Sequence, residues 1–463
     1  MPVKTADTLM AFLLSYPTFN RTRDMRLVLQ SGQLSQLDLS ILLLDEEKSL
    51  LPRYMTEDAC KSLRILNVVH PLCDESSVSI VASILQRCHY LEEFHSKLVI
   101  DLSALSNCHQ LKNLRLHLQA PFNVVEEDFY LKIVDFVQSK PNLEVFSFCN
   151  IKDGSSAYKA IATILINCPK LNSVGFVDCL DALHHIRKTR GAMMKFNLKR
   201  CFWGLNEGDV PSILRVPKSS SYSEKYPDMI QNAVHMCPTV ETLVINVYHE
   251  EALEHLIHLR HLRSLSIKFN YNGADNVTTL IFLLRRIGPS LEHLSLDMDD
   301  AIPVEVIRDH CFNLKSLQIY GSTVMNDDME CHLKPLKLER LYIWKAESKS
   351  LFLLLRNSPN LIELYLGNVL CLDDEFMKTI LMNNTFARLI VVGIRECLLT
   401  ETGINMLLNS AYNLKELFFG ILEPYRSAHQ LITENHLKVL HYFDTFKLKI
   451  REFYTFRPNT CSF

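Results

Sequence analysis

One six-residue phrase returns along almost the whole chain and constrains its fold more than any other feature: L-x-x-L-x-L, with Ile, Val, Phe or Met admitted in place of Leu. It reads LSQLDL from Leu34, LRILNV from Leu63, LKNLRL from Leu111, LEVFSF from Leu143 and LNSVGF from Leu171. MMKFNL from Met193, VETLVI from Val240, LRSLSI from Leu262, LEHLSL from Leu291 and LKSLQI from Leu314 continue the series. LERLYI from Leu338, LIELYL from Leu361, LIVVGI from Leu389, LKELFF from Leu414 and LKVLHY from Leu437 complete it, and LEEFHS from Leu91 is a degenerate copy. Most copies lie 20 to 32 residues apart, and one step, from Met193 to Val240, spans 47. The chain therefore reads as a repeat array with one insertion. No single unit of that size buries its apolar face without a neighbour, so the units must stack.

The last three positions of the phrase alternate as a short strand does, two apolar residues pointing inward and the middle one outward. Helical patterns fill the stretches between. In SAYKAIATILINC, Ala157, Ile161, Ile164, Leu165 and Cys168 share one face at helical spacing. DDEFMKTILMN offers Asp373 or Asp374 as the cap of a helix carrying Phe376, Ile380 and Leu381. Each unit is thus strand, turn and helix. The expected fold is an α/β solenoid of about 15–16 repeats, with parallel strands on a concave face and helices on a convex one.

Composition narrows what such an array does. With 22% charged residues and a formal net charge of −3, the chain belongs with folded proteins and lacks the basic footprint of a nucleic-acid binder. No run approaches the roughly 18 apolar residues that span a bilayer, so no membrane partner is expected. The apolar stretch from Leu9 to Leu14 lacks a small-residue cleavage site. Fourteen cysteines occur with no C-x-x-C, which fits reduced thiols and a cytoplasmic or nuclear location. Neither G-x-S-x-G, nor a glycine-rich phosphate loop, nor a Cys/His enzyme signature occurs, so no catalysis, cofactor or metal is expected.

The phrase and its punctuation closely resemble the leucine-rich repeats of the ribonuclease-inhibitor-like class in their cysteine-containing form, a curved horseshoe. That form carries Cys or Asn three residues beyond the last Leu of the phrase, where Cys179, Cys201 and Cys397 stand. LIVVGIRECLLTETGINMLL (389–408) is the fullest copy, with Leu399, Thr400 and Gly403 at the L-T-x-x-G helix start. Helices of the family end in Cys-Pro-x-Leu; NCPKL, MCPTV and RCHYL are similar, and KPNL, GPSL and SPNL keep only the proline. Repetition at fixed positions reads these cysteines as buried turn and helix-end residues rather than ligands or reactive thiols. In particular, zinc needs ligands in close pairs, which are missing.

Other clusters receive structural readings. His249, His255, His258 and His261 follow H-x-x-H-x-x-H rather than H-E-x-x-H and form a solvated helix flank. Asp297, Asp299 and Asp300, like Asp327 and Asp328, supply turns and caps. The insertion, residues 203–228, is rich in Pro, Ser and charge and reads as an exposed loop with phosphorylatable Ser219 to Ser221 and Ser223. Residues 1–33 form a helical N-terminal cap, 34–442 the solenoid, and 443–463 a C-terminal cap or tail.

The expected binding face is the concave one. Gln318, Tyr342, Tyr365, Gly393, Phe418 and His441 occupy the outward position of successive repeats, flanked by Lys315, Arg340, Glu363, Lys415 and Glu416. Tyrosine and phenylalanine in such a row suit a protein interface. Earlier repeats present Asp38, Asn67, Arg115, Ser147 and Asn197, a more polar surface. A second reading has the aromatic tail, 443–463, covering the strip. On the exposed reading, Leu364→Asp destabilises the array by several kcal/mol, whereas Tyr365→Ala barely affects folding but weakens partner binding.

The resemblance also implies a function class, since repeats of this form occur in the F-box type of cullin ubiquitin-ligase substrate receptors. An intact F-box is not found: 33 residues precede Leu34, and none is tryptophan. TLMAFLLSY is similar instead to an elongin-binding helix, with Thr8 and Leu9 in place but Leu13 where the family has Cys. On this reading Leu9 and Leu13 dock a ligase adaptor and the concave face holds a degradation target. The alternative is a leucine-rich repeat interaction scaffold with no ligase connection.

Overall fold

The computed structural model describes residues 2–15, 21–68, 75–118, 127–150, 157–175, 179–191, 193–203, 226–269, 276–325, 335–420 and 439–442. Two compact units divide the chain, Met1–Glu207 and Gly208–Phe463. The boundary falls inside the expected insertion. At its two ends, Trp203 closes a strand and residues 226–228 open the helix Tyr226–Met236, while 204–225 lie outside the described residues.

The first unit opens with a helix, Val3–Ser15, and two short ones, Arg21–Asp24 and Arg26–Leu29. Seven strands follow: β1 (Gln36–Asp38), β2 (Ile65–Val68), β3 (Glu93–Ser96), β4 (Asn113–Leu118), β5 (Val145–Asn150), β6 (Ser173–Gly175) and β7 (Arg200–Trp203). They pair in parallel, in chain order. The register sets Leu37, Leu66, Phe94, Leu114, Phe146, Val174 and Cys201 in one line, all buried. That line is the fourth position of the repeated phrase. The stacking it forces is what turns a six-residue motif into a continuous core.

The second unit holds β8 (Thr242–Val247), β9 (Ser264–Phe269), β10 (His293–Asp297), β11 (Ile302–Pro303), β12 (Ser316–Tyr320) and β13 (Thr323–Val324). After them come β14 (Arg340–Trp344), β15 (Glu363–Val369), β16 (Val391–Cys397), β17 (Glu416–Gly420) and β18 (Val439–Tyr442). Among the described residues, strands β11 and β13 pair only with each other. The remainder form a parallel sheet whose fourth-position line runs Leu243, Leu265, Leu294, Leu317, Leu341, Leu364, Val392, Leu417 and Leu440.

Helices connect the strands and pack on their successors, as Glu127–Gln138, Ala157–Asn167 and Cys179–Arg190 do. Spacing sets how much helix a repeat holds. The shortest step, 20 residues from Leu91 to Leu111, has room only for a 3-10 turn, Leu102–Leu105, capped by the Asp101 side chain. Asp373 is the cap of Asp374–Asn383, accepting from the Phe376 N–H at 2.8 Å. Asp374 instead reaches the next repeat and accepts from the Thr400 N–H at 2.9 Å. Gly403 packs so closely there that a Cβ would lie 2.4 Å from Asp374 Oδ1, which accounts for the glycine of the L-T-x-x-G start.

One repeat is out of the expected register. Met193, Met194 and Phe196 imitate the phrase, yet Met193 is 92% exposed and no strand forms there. Strand β7 places Cys201 opposite Val174, so the true phrase is L-K-R-C-F-W from Leu198. Cys201 is therefore a core residue of the strand and not a turn residue, and Asn197 precedes the strand instead of lying in it. The physical reason is burial: the later frame sinks Leu198, Cys201 and Trp203, whereas of the earlier frame's apolar positions Leu198 alone is buried. Conversely, LEEFHS forms a regular strand. Ser96 takes the last apolar position because its buried hydroxyl donates to Leu98 O at 3.1 Å and accepts from Leu98 N at 2.9 Å.

The other cysteines sit at punctuation points. Cys88, Cys168 and Cys237 follow helices, Cys179 opens one, and Cys397 ends β16. Burial raises the thiol pKa of Cys108 to about 11 and of Cys311 to about 12, so both stay protonated and unreactive near neutral pH.

Candidate interaction face

A strand's alternation sends the third, fifth and seventh phrase positions to the sheet face away from the fourth- and sixth-position core. In the first unit the fifth lane is Asp38, Asn67, His95 and Arg115, all half-buried, then buried Ser147 and Gly175. In the second unit it runs Val244, Ser266, Ser295, Gln318, Tyr342, Tyr365, Gly393, Phe418 and His441, each opposite the next.

The expectation of an exposed aromatic strip needs correction. Tyr342 is 4% exposed, Tyr365 1%, Phe418 1% and Gln318 3%. The three rings and Val391 form a buried cluster of their own, with Tyr320, Trp344 and Ile390 packed against it. Alternation tells which face a side chain takes, but not whether that face is covered. The reading in which the tail, 443–463, covers the strip lies outside the described residues. His441 stands in the register opposite Phe418.

The ring geometry follows from strand spacing. Parallel neighbours lie about 4.8 Å apart, close to the distance at which rings stack. Tyr342 and Tyr365, on adjacent strands, stack with centroids 4.6 Å apart and planes 28° from parallel. Tyr365 and Phe418 are two strands apart, yet their centroids approach to 6.1 Å because Gly393 stands between them and has no side chain. Gly367 has the same effect one lane over. Trp344 lies across it, so that a Cβ there would sit 2.3 Å from Trp344 Cε3. The Arg395 guanidinium is 5.5 Å from the Trp344 ring, a cation–π contact over the same glycine. Burial raises the Tyr342 phenol well above its ordinary pKa, so it remains a neutral hydroxyl.

Charged residues frame the cluster. Arg340 and Glu363, in the third lane, pair at 3.4 Å beside Tyr342 and Tyr365. Lys415 is exposed at the second phrase position, at the lead-in to β17, and does not join them. In the seventh lane Lys268 and Asp297 pair at 3.9 Å. Asp297 thus belongs to the open sheet face, not to a turn or cap. Tyr320, Trp344 and Arg395 were not among the expected site residues. The signal for them was the period of two carried one step beyond the phrase.

The first helix divides its residues sharply. Ala6 and Met10 are buried, while Leu9 is 38% and Phe12 55% exposed; Leu13 is half-buried. Asp7 fixes the helix to the edge of the sheet, accepting from the N–H of Ser35 at 2.9 Å and of Gln36 at 3.3 Å. Lys4, Thr5, Thr8, Leu9 and Phe12 border a shallow hollow of ≈ 440 Å³. Among the described residues no group of three or more His, Cys, Asp or Glu is placed to hold a metal, and no helix is long and apolar enough to cross a membrane.

No family model and no curated protein matches this chain. Solved structures similar to it include the Rad7 and Elc1 complex of yeast, at 17% identity, covering 87% of this chain and 89% of that one, with a TM-score of 0.46. A leucine-rich repeat protein of Leptospira interrogans is 14% identical over 89% of this chain and 91% of its own, with a TM-score of 0.33. The Toll–Spatzle complex of Drosophila is 11% identical over 86% and 48%, with a TM-score of 0.26. Parallel strands in chain order, one phrase per strand and a helix or 3-10 turn in the connections make this chain an α/β leucine-rich repeat solenoid.

Proposed function

We propose that this solenoid binds proteins and serves as the substrate-recognition subunit of a cullin-type ubiquitin ligase, docking an adaptor through its first helix. The observation that carries the reading is the two-faced helix Val3–Ser15. Ala6 and Met10 are committed to the array, Asp7 pins the helix to β1, and Leu9 and Phe12 remain turned to solvent beside a hollow. An apolar pair held outward by a rigidly anchored helix suits a helix-in-groove partner. Leu9 is the docking residue of this reading, and Phe12 takes the larger share of contact that half-buried Leu13 cannot supply. The target is held on the second unit's sheet face away from the core, at the Arg340–Glu363 rim.

A scaffold with no ligase connection is the second reading, favoured by Leu13, which replaces the cysteine of elongin-binding helices and is half-buried. Affinity purification from cells separates the two. Co-purification of cullin and adaptor, abolished by Leu9→Asp, supports the receptor; an adaptor retained by Leu9→Asp removes the docking proposal. Purification of partners without any cullin subunit leaves the scaffold.

A further inference from the structure

At the turns leading into β9, β10, β12 and β14 lies a groove of ≈ 430 Å³ lined by Arg260, His261, Arg263, Glu292, Lys315 and Lys337. Its floor is fixed by two bonds between repeats. Ser290 Oγ donates to Leu262 O at 2.9 Å, and Asn313 Nδ2 donates to Pro289 O at 2.9 Å. Two of the ledge's backbone acceptors are thus taken by side chains of the following repeats.

The charge above the ledge is unbalanced. Among the described residues Glu292 is the one carboxylate in the lining, and it is shared between Lys315 at 2.7 Å and Arg263 at 3.4 Å. Lys337 donates to the neutral Asn313 Oδ1 at 2.9 Å. Arg260 has no carboxylate partner among the described residues. Four formal cations thus line the groove with one carboxylate, and Glu339, beyond the lining, also acts on Lys315, in a chain whose net charge is −3. The second phrase position itself alternates in sign in both units, as Arg263, Glu292, Lys315 and Glu339 here and as Arg64, Glu92, Lys112 and Glu144 in the first, where Glu92 is held between Arg64 at 3.8 Å and Lys112 at 2.8 Å. The excess in the second unit comes from Arg260 and Lys337, which sit in the turns rather than at the alternating phrase position.

The arrangement of the cations selects the ligand. They are strung along successive repeats, whose strands lie about 4.8 Å apart, instead of converging on one point. Arg263 and Lys315 keep 68% and 49% of their side chains exposed, so their charged ends meet solvent. A row of this kind matches carboxylates spaced along an extended chain better than a single small anion.

We propose that this groove binds an extended acidic segment of a partner protein, with its carboxylates set against Arg260, Arg263, Lys315 and Lys337. The proposal rests only on the array being a protein binder; it is separate from the adaptor helix, and Leu9→Asp leaves it unchanged. The test titrates a fluorescein-labelled peptide of alternating Glu and Ser with the full-length chain and follows anisotropy. Saturable binding is expected, weakening as salt is raised towards about 0.15 M. Arg260→Glu and Lys337→Glu are each expected to weaken it about fivefold or more, roughly 1 kcal/mol. Lys188→Glu, in the basic end of Cys179–Arg190, serves as the control and is expected to have no effect. Circular dichroism melts establish that the variants fold. Absence of saturable binding, no loss in Arg260→Glu and Lys337→Glu, or equal loss in Lys188→Glu overturns the proposal. Stronger binding of an oligonucleotide of matched charge overturns the choice of an acidic peptide.

Discussion

Tyr365 illustrates what a single position decides. From the phrase it is the outward neighbour of core Leu364, and its removal ought to be silent. In the fold both are buried, Leu364 in the shared core and Tyr365 between Tyr342 and Phe418. Leu364→Asp strands a charge in the core, and Tyr365→Ala empties a ring-sized space at a cost of about 3–5 kcal/mol. Thermal melts are expected to show both variants destabilised; an unchanged melt for Tyr365→Ala would place the ring in solvent. Asp297 adds a pH effect. Burial raises its pKa from 3.8 to about 6, against the opposing pull of Lys268. A carboxyl with a raised folded pKa favours the fold fully below its unfolded value, and that contribution is lost as pH rises through 6. Melting temperature is expected to fall from about pH 4 to pH 6 by more in the wild type than in Asp297→Asn.

At the scale of one element, the helix end holds a slot that the sequence presents as cysteine punctuation. Its small buried character was legible, because Cys recurs there. What it does across the repeat boundary was not. Cys108 Sγ lies 3.2 Å from Cys88 O, the carbonyl of the preceding slot. Lys140 replaces Cys in KPNL, and its Nζ donates to Leu105 O at 2.9 Å, Ser106 O at 2.7 Å and Cys108 O at 3.3 Å. Asn384, two residues before the slot that Phe386 fills, reaches back in the same way to Leu355 O at 2.7 Å and Ser358 O at 3.1 Å. At Cys108 and Lys140 the slot is a rung between repeats, whereas Cys88 and Ser358 bond back within their own helices. A lysine in a family's cysteine position looks like decay in sequence, yet it makes three bonds where a thiol makes one weak one. Lys140→Met removes three bonds from a charged donor, although backbone N–H groups still serve Leu105 O and Cys108 O, and is expected to cost about 1–3 kcal/mol. Hydrogen exchange is expected to quicken first in the 102–108 segment; protection there equal to wild type would deny the rung.

For the whole molecule, the repeat grammar was enough to read the fold, because parallel strands in chain order leave little topological choice. Its errors were local. A spurious phrase at Met193 won on apolar pattern alone and lost on burial, which no single repeat encodes. The covered state of the second unit's open face was equally invisible, since cover comes from outside the strand. Ends matter in such arrays, as an unshielded terminal repeat exposes its core. Met10→Asp is expected to lower the melting temperature and expose β1 to exchange, whereas Leu9→Asp, on the solvent side of the same helix, leaves both near wild type. Equal loss in the two variants would contradict the two-faced helix on which the adaptor reading depends.

Gly367 and Gly393 also bear on cooperativity. In a one-dimensional stack each repeat senses only its nearest neighbour, so disorder at one strand decays within a single step. Over these two glycines, Trp344 touches Arg395 and Tyr365 touches Phe418, contacts that skip a strand. The coupling length there is two repeats instead of one. Strands β14 to β17 are therefore expected to open as one block in hydrogen exchange, and Gly393→Val to divide that block into shorter, independently fraying segments.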